Sequence, residues 1–461
     1  MTPSVIPLAM EMSADKRLAL REWLASGKVA LQPLTFTQRE LWETSPVPVG
    51  DVANHICCLI HVRGVLTPEV CEAALRRVVE RQEVLRLSFL PGRERPVQMI
   101  RRNAEINLRH RTLGAGQRRD EAVEEIATEI FYQPFDLVRG PVYRAEVLQR
   151  GPDDYVMVFA IHHAIADGWT LGVFVRDLCA AYMLGIVSPG ERLPDVPLPY
   201  TAWAAAERTF WQPAELERRT VFWKSALAGR PRLWSASEGL LTASGPPKRW
   251  VIYFPRDLAD AVQELARKTG ATLFSTLLAA FQVAFSRWAG LADVLVGTPV
   301  ANRTGQAVRD TMGYCAGIVP LRGQVEPDRT FSDSLKIVQQ NTTDSLANAM
   351  PFAELAAAIG ETQFAGHNPI FEVRFALQNH PVPDVAFHGL SASLQMRSTG
   401  TARFHLGCEI TLVERGLEVV WLFRPEVSPL AEIENLANLF QAVLSAACDS
   451  PESRINALAG N

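Results

Sequence analysis

Ile161-His162-His163-Ala164-Ile165-Ala166-Asp167-Gly168-Trp169 is the stretch on which the reading of this chain turns. The residues before it, 155–161, form an unbroken apolar run of the kind that makes a buried strand. Those after it place Leu171, Phe174, Val175, Leu178 and Tyr182 at helical spacing. Two histidines therefore stand at a strand end, with Asp and Gly opening the next helix. Such a junction can hold an imidazole firmly, open one of its faces to a cavity, and leave the first N–H groups of the helix available to negative charge. Successive strand side chains point to opposite faces, so at most one of the two histidines can face a given cavity. On spacing alone the simpler reading is a satisfied structural histidine, and a site needs companions elsewhere in the chain.

A length of 461 residues exceeds what one small core accommodates, and two lobes are expected. Charged residues at 21% beside hydrophobic ones at 48% describe an ordinary globular protein. The net charge of −4 argues against non-specific nucleic-acid binding, and no nucleic-acid partner is expected. The basic clusters at 101–102, 109–111 and 118–119 read as solvated surface. Seven cysteines, odd in number and never in Cys-x-x-Cys spacing, imply a reduced, cytoplasmic compartment with no zinc ribbon, disulfide frame or other metal site. The N-terminal residues lack a basic flank and soon meet Glu11, which makes a poor signal peptide. No run is read as a membrane span, and no membrane partner is expected.

The central stretch resembles the His-His-x-x-x-Asp-Gly motif of nonribosomal peptide synthetase condensation domains, members of the chloramphenicol acetyltransferase superfamily. Companions follow in order from about residue 31 to 450. Leu34-Thr35-Phe36-Thr37-Gln38-Arg39-Glu40-Leu41-Trp42 is similar to a Ser-x-Ala-Gln-x-Arg-(Leu/Met)-Trp pattern. Arg81-Gln82-Glu83-Val84-Leu85-Arg86-Leu87-Ser88-Phe89 resembles Arg-His-Glu-x-Leu-Arg-Thr-x-Phe, with Gln82 in place of His. Gly297-Thr298-Pro299-Val300-Ala301-Asn302-Arg303 is close to Gly-x-Pro-Val-Ala-Gly-Arg, with Asn302 for Gly; Asn tolerates positive φ better than most residues. Cys315-Ala316-Gly317 stands where an aromatic-Val-Asn pattern is usual, and His405 where Phe-Asp-Leu is common. These departures bear on substrate more than on fold.

The resemblance implies an α/β fold of two chloramphenicol-acetyltransferase-like lobes arranged as a V-shaped pseudo-dimer. Residues 1–30 read as a leader with a possible docking helix, 31–188 as the N-terminal lobe carrying the motif, and 189–461 as the C-terminal lobe, the Pro-rich segment 189–199 marking the boundary. It implies that His163 is the catalytic imidazole, as base or as positioner of the acceptor, with His162 supporting the loop. Asp167 is expected to pair with a buried arginine, Arg303 first and Arg86 second. Gly168, Trp169 and Asn379 are candidates for an oxyanion or acceptor contact. Asp333-Ser334-Leu335 and Asp344-Ser345-Leu346 lack the Gly-Gly of a carrier site and read as ordinary helix. The chain is thus expected to bind no cofactor itself and to receive an acyl or peptidyl/polyketidyl group on the phosphopantetheine of an acyl or peptidyl carrier protein in trans. The acceptor is a small-molecule or carrier-bound amine or hydroxyl.

Two other readings stay open. A soluble acyl-CoA donor would make the chain an ordinary acyltransferase of the superfamily, and a degenerate relative would be a non-catalytic recruitment domain. The intact His162, His163, Asp167 and Gly168 weigh against the latter. Heterocyclisation is disfavoured because those relatives carry Asp-x-x-x-x-Asp here, and epimerisation because residues 297–303 and 375–379 look more like condensation members.

Overall fold

The computed structural model describes residues 14–45, 48–92, 95–103, 106–114, 119–232, 248–361, 368–378, 385–387, 389–397 and 404–458. In chain order the first lobe comprises α1 (Ala14–Ala25), β1 (Val29–Pro33), α2 (Phe36–Glu43), β2 (His55–Arg63), α3 (Pro68–Arg81), β3 (Leu87–Leu90), β4 (Val97–Arg101), β5 (Leu108–Thr112), α4 (Arg119–Tyr132), β6 (Tyr143–Gly151), β7 (Asp154–His162) and α5 (Gly168–Val187). Two connecting helices follow, α6 (Tyr200–Phe210) and α7 (Pro213–Ala226). The rest of the chain holds β8 (Lys248–Pro255), α8 (Arg256–Thr269), α9 (Leu273–Ala289), β9 (Asp293–Val300), β10 (Gly317–Gln324), α10 (Phe331–Ala347), α11 (Phe352–Ala358), β11 (Val373–Gln378), β12 (Val385–Phe387), β13 (Leu390–Arg397), β14 (Leu406–Val413), β15 (Gly416–Phe423) and α12 (Leu430–Asp449), all but β12 and β13 in the second lobe.

Each lobe is a mixed six-stranded sheet with its own core. The first sheet runs β12-β13-β2-β7-β6-β5 and the second β10-β9-β11-β14-β15-β8. β7 lies inside the first sheet, and its residues Val156, Val158, Phe159, Ala160 and Ile161 are fully buried, which is why its apolar run does not alternate. α3 and α5 cover it. α5 has 20 residues and is long and apolar enough by composition to cross a membrane, contrary to the expectation that no run would be. Its place in the core accounts for that character: a helix apolar all round is either buried or lipid-facing, and Phe174 of α5 stacks on Phe159 at 4.0 Å between ring centroids.

The linear division of the chain needs two adjustments. β1 already begins at Val29 and pairs with β4 in a small third sheet, and Leu20 of α1 packs there against Val29, Leu90 and Met99. Residues 14–30 of the segment expected as a leader are therefore packed against the small sheet of β1, β4 and β3. Residues 391–397, expected in the C-terminal lobe, pair with β2 of the first sheet from Ser391↔Arg63 to Arg397↔Cys57. The backbone groups on that side of β2 are thereby paired instead of forming an open sheet edge, and nothing local in the sequence marks such a long-range partner.

Local chemistry explains several element ends. Thr35 caps α2 in a reciprocal box with Gln38. Thr67 stands at the N-cap of α3, but its hydroxyl makes no cap bond; its N–H donates to the Tyr182 hydroxyl at 2.9 Å. Ser334 and Ser345 lie buried on α10, as ordinary helix residues.

Candidate active site

The strand-to-helix junction separates the two histidines as the pleat requires. His162 is fully buried beside His55 and Phe135. Its Nδ1 accepts from the Ala164 N–H at 3.0 Å, and its Nε2 lies 2.8 Å from the Val49 carbonyl, an arrangement that assigns the neutral Nε2–H tautomer. His162 thus staples the turn. His163 opens the turn, buries its Nδ1, and leaves part of the residue at the surface. Its ring stands edge-on to Tyr314 of the second lobe, with 4.4 Å between ring centroids. Gln38 of α2 donates to the Ala164 carbonyl at 2.9 Å and fixes the turn from the other side.

Asp167 caps α5 and ties the lobes together. One oxygen accepts from the Thr170 N–H and hydroxyl, each at 3.0 Å. The other accepts from Arg303 Nη1 at 2.6 Å and from the N–H groups of Cys315 and Ala316 at 3.1 Å. The Arg303 and Asp167 side chains are 1% and 2% exposed. Burial alone would raise the Asp167 pKa; the Arg303 charge and the converging N–H donors outweigh it and hold the carboxyl below its ordinary value. The same pairing holds the Arg303 guanidinium above its ordinary value against the opposing effect of burial. These bonds place the Asp167 carboxylate on the seam between the lobes.

A second tie runs through Gln82. Its amide donates to Asp177 at 2.8 Å and to the Asp310 carbonyl at 2.9 Å, and its oxygen accepts from the Met312 N–H at 3.1 Å. Arg81 pairs with the same Asp177 at 2.5 Å. The loop that delivers Tyr314 to His163 is thereby clamped at both ends, by Gln82 at 312 and by Asp167 at 315–316. The Tyr314 carbonyl accepts from Thr37 and Tyr200 hydroxyls at 2.7 and 3.3 Å. Nearby, burial pushes Glu207 of α6 up to about 7, although it accepts the Phe36 N–H at 2.9 Å.

The structure places His162, His163, Asp167, Gly168 and Arg303 together, and it shows other partners for Arg86 and for the Trp169 indole. Arg86 is not an alternative partner for Asp167. Its guanidinium is spent on backbone carbonyls of Val79, Arg101 and Arg102 at 2.6–3.0 Å, where it closes the α3–β3 turn. The Trp169 indole N–H donates to the Arg309 carbonyl at 2.9 Å, and the ring lies under Arg303. Gly168 opens α5, where its N–H has no intrahelical partner. Asn379 lies outside the described residues. Among the described residues no group of three or more His, Cys, Asp or Glu could hold a metal, and all seven cysteines are free thiols.

Sequence reasoning noted Gln82 only as a departure from the family motif and gave no role to Gln38, Gln82, Thr170, Glu207 or Tyr314. Thr170 carried a readable signal, an Asp followed three residues later by a hydroxyl at a helix start. The others depend on contacts between residues far apart in the chain that no local pattern encodes.

Comparisons with known proteins agree with this architecture. The family model described as "Condensation domain" matches residues 29–459. Chondramide synthase cmdD of Chondromyces crocatus is 29% identical over 429 residues, 92% of this chain but 11% of that protein. Phosphinothricin tripeptide synthetase PhsC of Streptomyces viridochromogenes is 29% identical over 355 residues, 75% of this chain and 32% of that protein. The chain thus spans a minor part of these curated relatives. Among solved structures, the first condensation domain of the CDA synthetase superposes with a TM-score of 0.74 at 21% identity, covering 93% of this chain and 99% of that one. SgcC5 from Streptomyces globisporus gives 0.75 at 23%, covering 92% and 100%. The two-lobed fold, the ordered motifs and the family match together place this chain in the condensation domain family.

Proposed function

We propose that the chain is an acyltransferase that moves an acyl or peptidyl/polyketidyl group from a carrier-protein phosphopantetheine thioester to an amine or hydroxyl acceptor. The observation that carries this reading is His163, partly exposed on a turn fixed by His162 and Gln38 and faced by Tyr314 of the opposite lobe. Attack forms the new C–N or C–O bond, the C–S bond breaks, and the acceptor's proton passes to the departing thiolate. His163, with Nδ1 buried, presents Nε2 to the acceptor, as positioner for an uncharged amine or as base for an alcohol. A neutral imidazole suits either role near neutral pH, and base assistance contributes about two to four orders of magnitude. The N–H of Gly168 at the start of α5, which has no intrahelical partner, is the proposed donor to the tetrahedral oxyanion. Phosphopantetheine arrives on a separate carrier, and the chain contributes no cofactor of its own.

The test is intact-protein mass spectrometry of a loaded carrier incubated with this chain and a panel of amines and alcohols, with the matching acyl-CoA in parallel. Unloading of the carrier with formation of an amide or ester is expected. Turnover of acyl-CoA with the carrier left loaded contradicts the donor assignment.

A further inference from the structure

Two departures from the family motifs meet in space. Asn302 stands where the Gly-x-Pro-Val-Ala-Gly-Arg pattern has its second glycine, and Gly317 stands where aromatic-Val-Asn has its asparagine. In the structure a Cβ built on Gly317 would lie 2.8 Å from Asn302 Nδ2 and 3.8 Å from its Cγ. The carboxamide therefore sits over Gly317, in the space that a side chain at 317 would take. Asn302 has φ of 49°, and among the described residues it alone reaches positive φ without being glycine. Glycine is the residue that adopts this conformation without strain. The chain thus accepts an unfavourable backbone at 302 and gives up a side chain at 317, and the outcome is an asparagine amide in the same neighbourhood, reached from β9 instead of β10.

That neighbourhood adjoins the site through its chain neighbours. Arg303 follows Asn302 and carries the bond to Asp167; Ala316 precedes Gly317 and donates to the same carboxylate. Tyr314, against His163, is three residues before Gly317, a backbone span of at most about 11 Å. Asn302 is exposed, Val300, Ala316, Gly317 and Ile318 beside it are partly so, and the carboxamide makes no hydrogen bond to a described residue. A carboxamide offers one acceptor and two donors, matching the C=O and N–H of a secondary amide. A pantetheine arm carries such an amide two methylenes from its sulfur, close to the reacting carbonyl.

We propose that Asn302 is a specificity-determining residue whose carboxamide hydrogen-bonds an amide of a pantetheine arm, with Gly317 as the clearance that lets it do so. This rests on the carrier-dependent reading above. The arm is that of the donor, or of the acceptor where the acceptor is carrier-bound.

The experiment compares Asn302→Gly, Gly317→Ala and the exchanged pair Asn302→Gly/Gly317→Asn. Pantetheine binding is followed by NMR titration, and KM and kcat are measured for an acyl carrier and for a carrier-bound acceptor. A Cβ at 317 meets only the mobile end of Asn302 and an ordinary contact with Val300 at 3.6 Å, so Gly317→Ala is expected to displace the amide with the melting midpoint held. Each single variant should weaken pantetheine about five- to tenfold and raise KM at unchanged kcat, and the exchanged pair should recover most of the loss. The carrier whose KM rises identifies the arm. Unchanged pantetheine affinity in both single variants, or no pantetheine binding by the wild type at millimolar concentration, overturns the inference. Wild-type turnover of acyl carrier beside such a result leaves the broader reading standing. Absence of wild-type turnover with pantetheine binding that still depends on Asn302 sinks the broader reading alone.

Discussion

Asp167 and Arg303, 136 residues apart in the chain, meet at 2.6 Å with their side chains almost wholly removed from solvent. One caps the helix that follows the histidines; the other follows the strand that opens the second lobe's half of the site. Their union fixes how the two lobes present their surfaces to each other.

Removing one member strands a buried charge. Asp167→Ala should cost about 3–5 kcal/mol of stability, seen as lower soluble yield and a lower midpoint in thermal or urea unfolding, together with lower activity. Because the folded carboxyl is held below its unfolded value, its stabilisation is fully present above pH about 4 and is lost as pH falls through the lower folded pKa. Acid unfolding of Asp167→Asn should accordingly lack this component. A normal melting midpoint in Asp167→Ala with activity gone would count against a structural role.

Gln82 bonds Asp177 within its own lobe and reaches across the same seam to the Asp310 carbonyl and the Met312 N–H. Gln82→Ala leaves the Met312 N–H and Asp177 short of a partner, at about 1–3 kcal/mol for each buried group left unsatisfied. Loosening the loop that carries Tyr314 should also lower kcat. Gln82→His, the residue of the family motif, can make fewer of these bonds than Gln and should fall between wild type and Ala in both measurements.

Glu207 supplies a pH signature of opposite sign. Its folded pKa of about 7 lies above the unfolded carboxylate value near 4.3. The folded state therefore holds a proton that the unfolded state has released, and stability falls as pH rises from about 4.5 to about 7, then levels. In Glu207→Gln this decline should disappear, so the difference in melting midpoint between variant and wild type should move in the variant's favour across that interval. A difference that stays constant with pH contradicts the assignment.

What could be read from the sequence was what depends on local pattern. The apolar run before His162, the opposed faces of adjacent histidines and the tolerance of Asn302 for positive φ all follow from short-range geometry, and each appears in the structure. The Asp167–Arg303 partnership came through resemblance, with Arg86 ranked second; Arg86 proved to be engaged by carbonyls, which no sequence pattern displays. The pairing of residues 391–397 with β2 and the buried setting of Glu207 are products of tertiary closure. Their residues look like ordinary strand and amphipathic helix until the lobes are assembled.

The most direct test is the rate of carrier unloading by His163→Ala beside the wild type, with melting midpoints measured on the same preparations. Loss of about 10²–10⁴ in kcat at an unchanged midpoint is expected of an imidazole that handles the acceptor. Undiminished turnover in a folded His163→Ala protein would contradict the account.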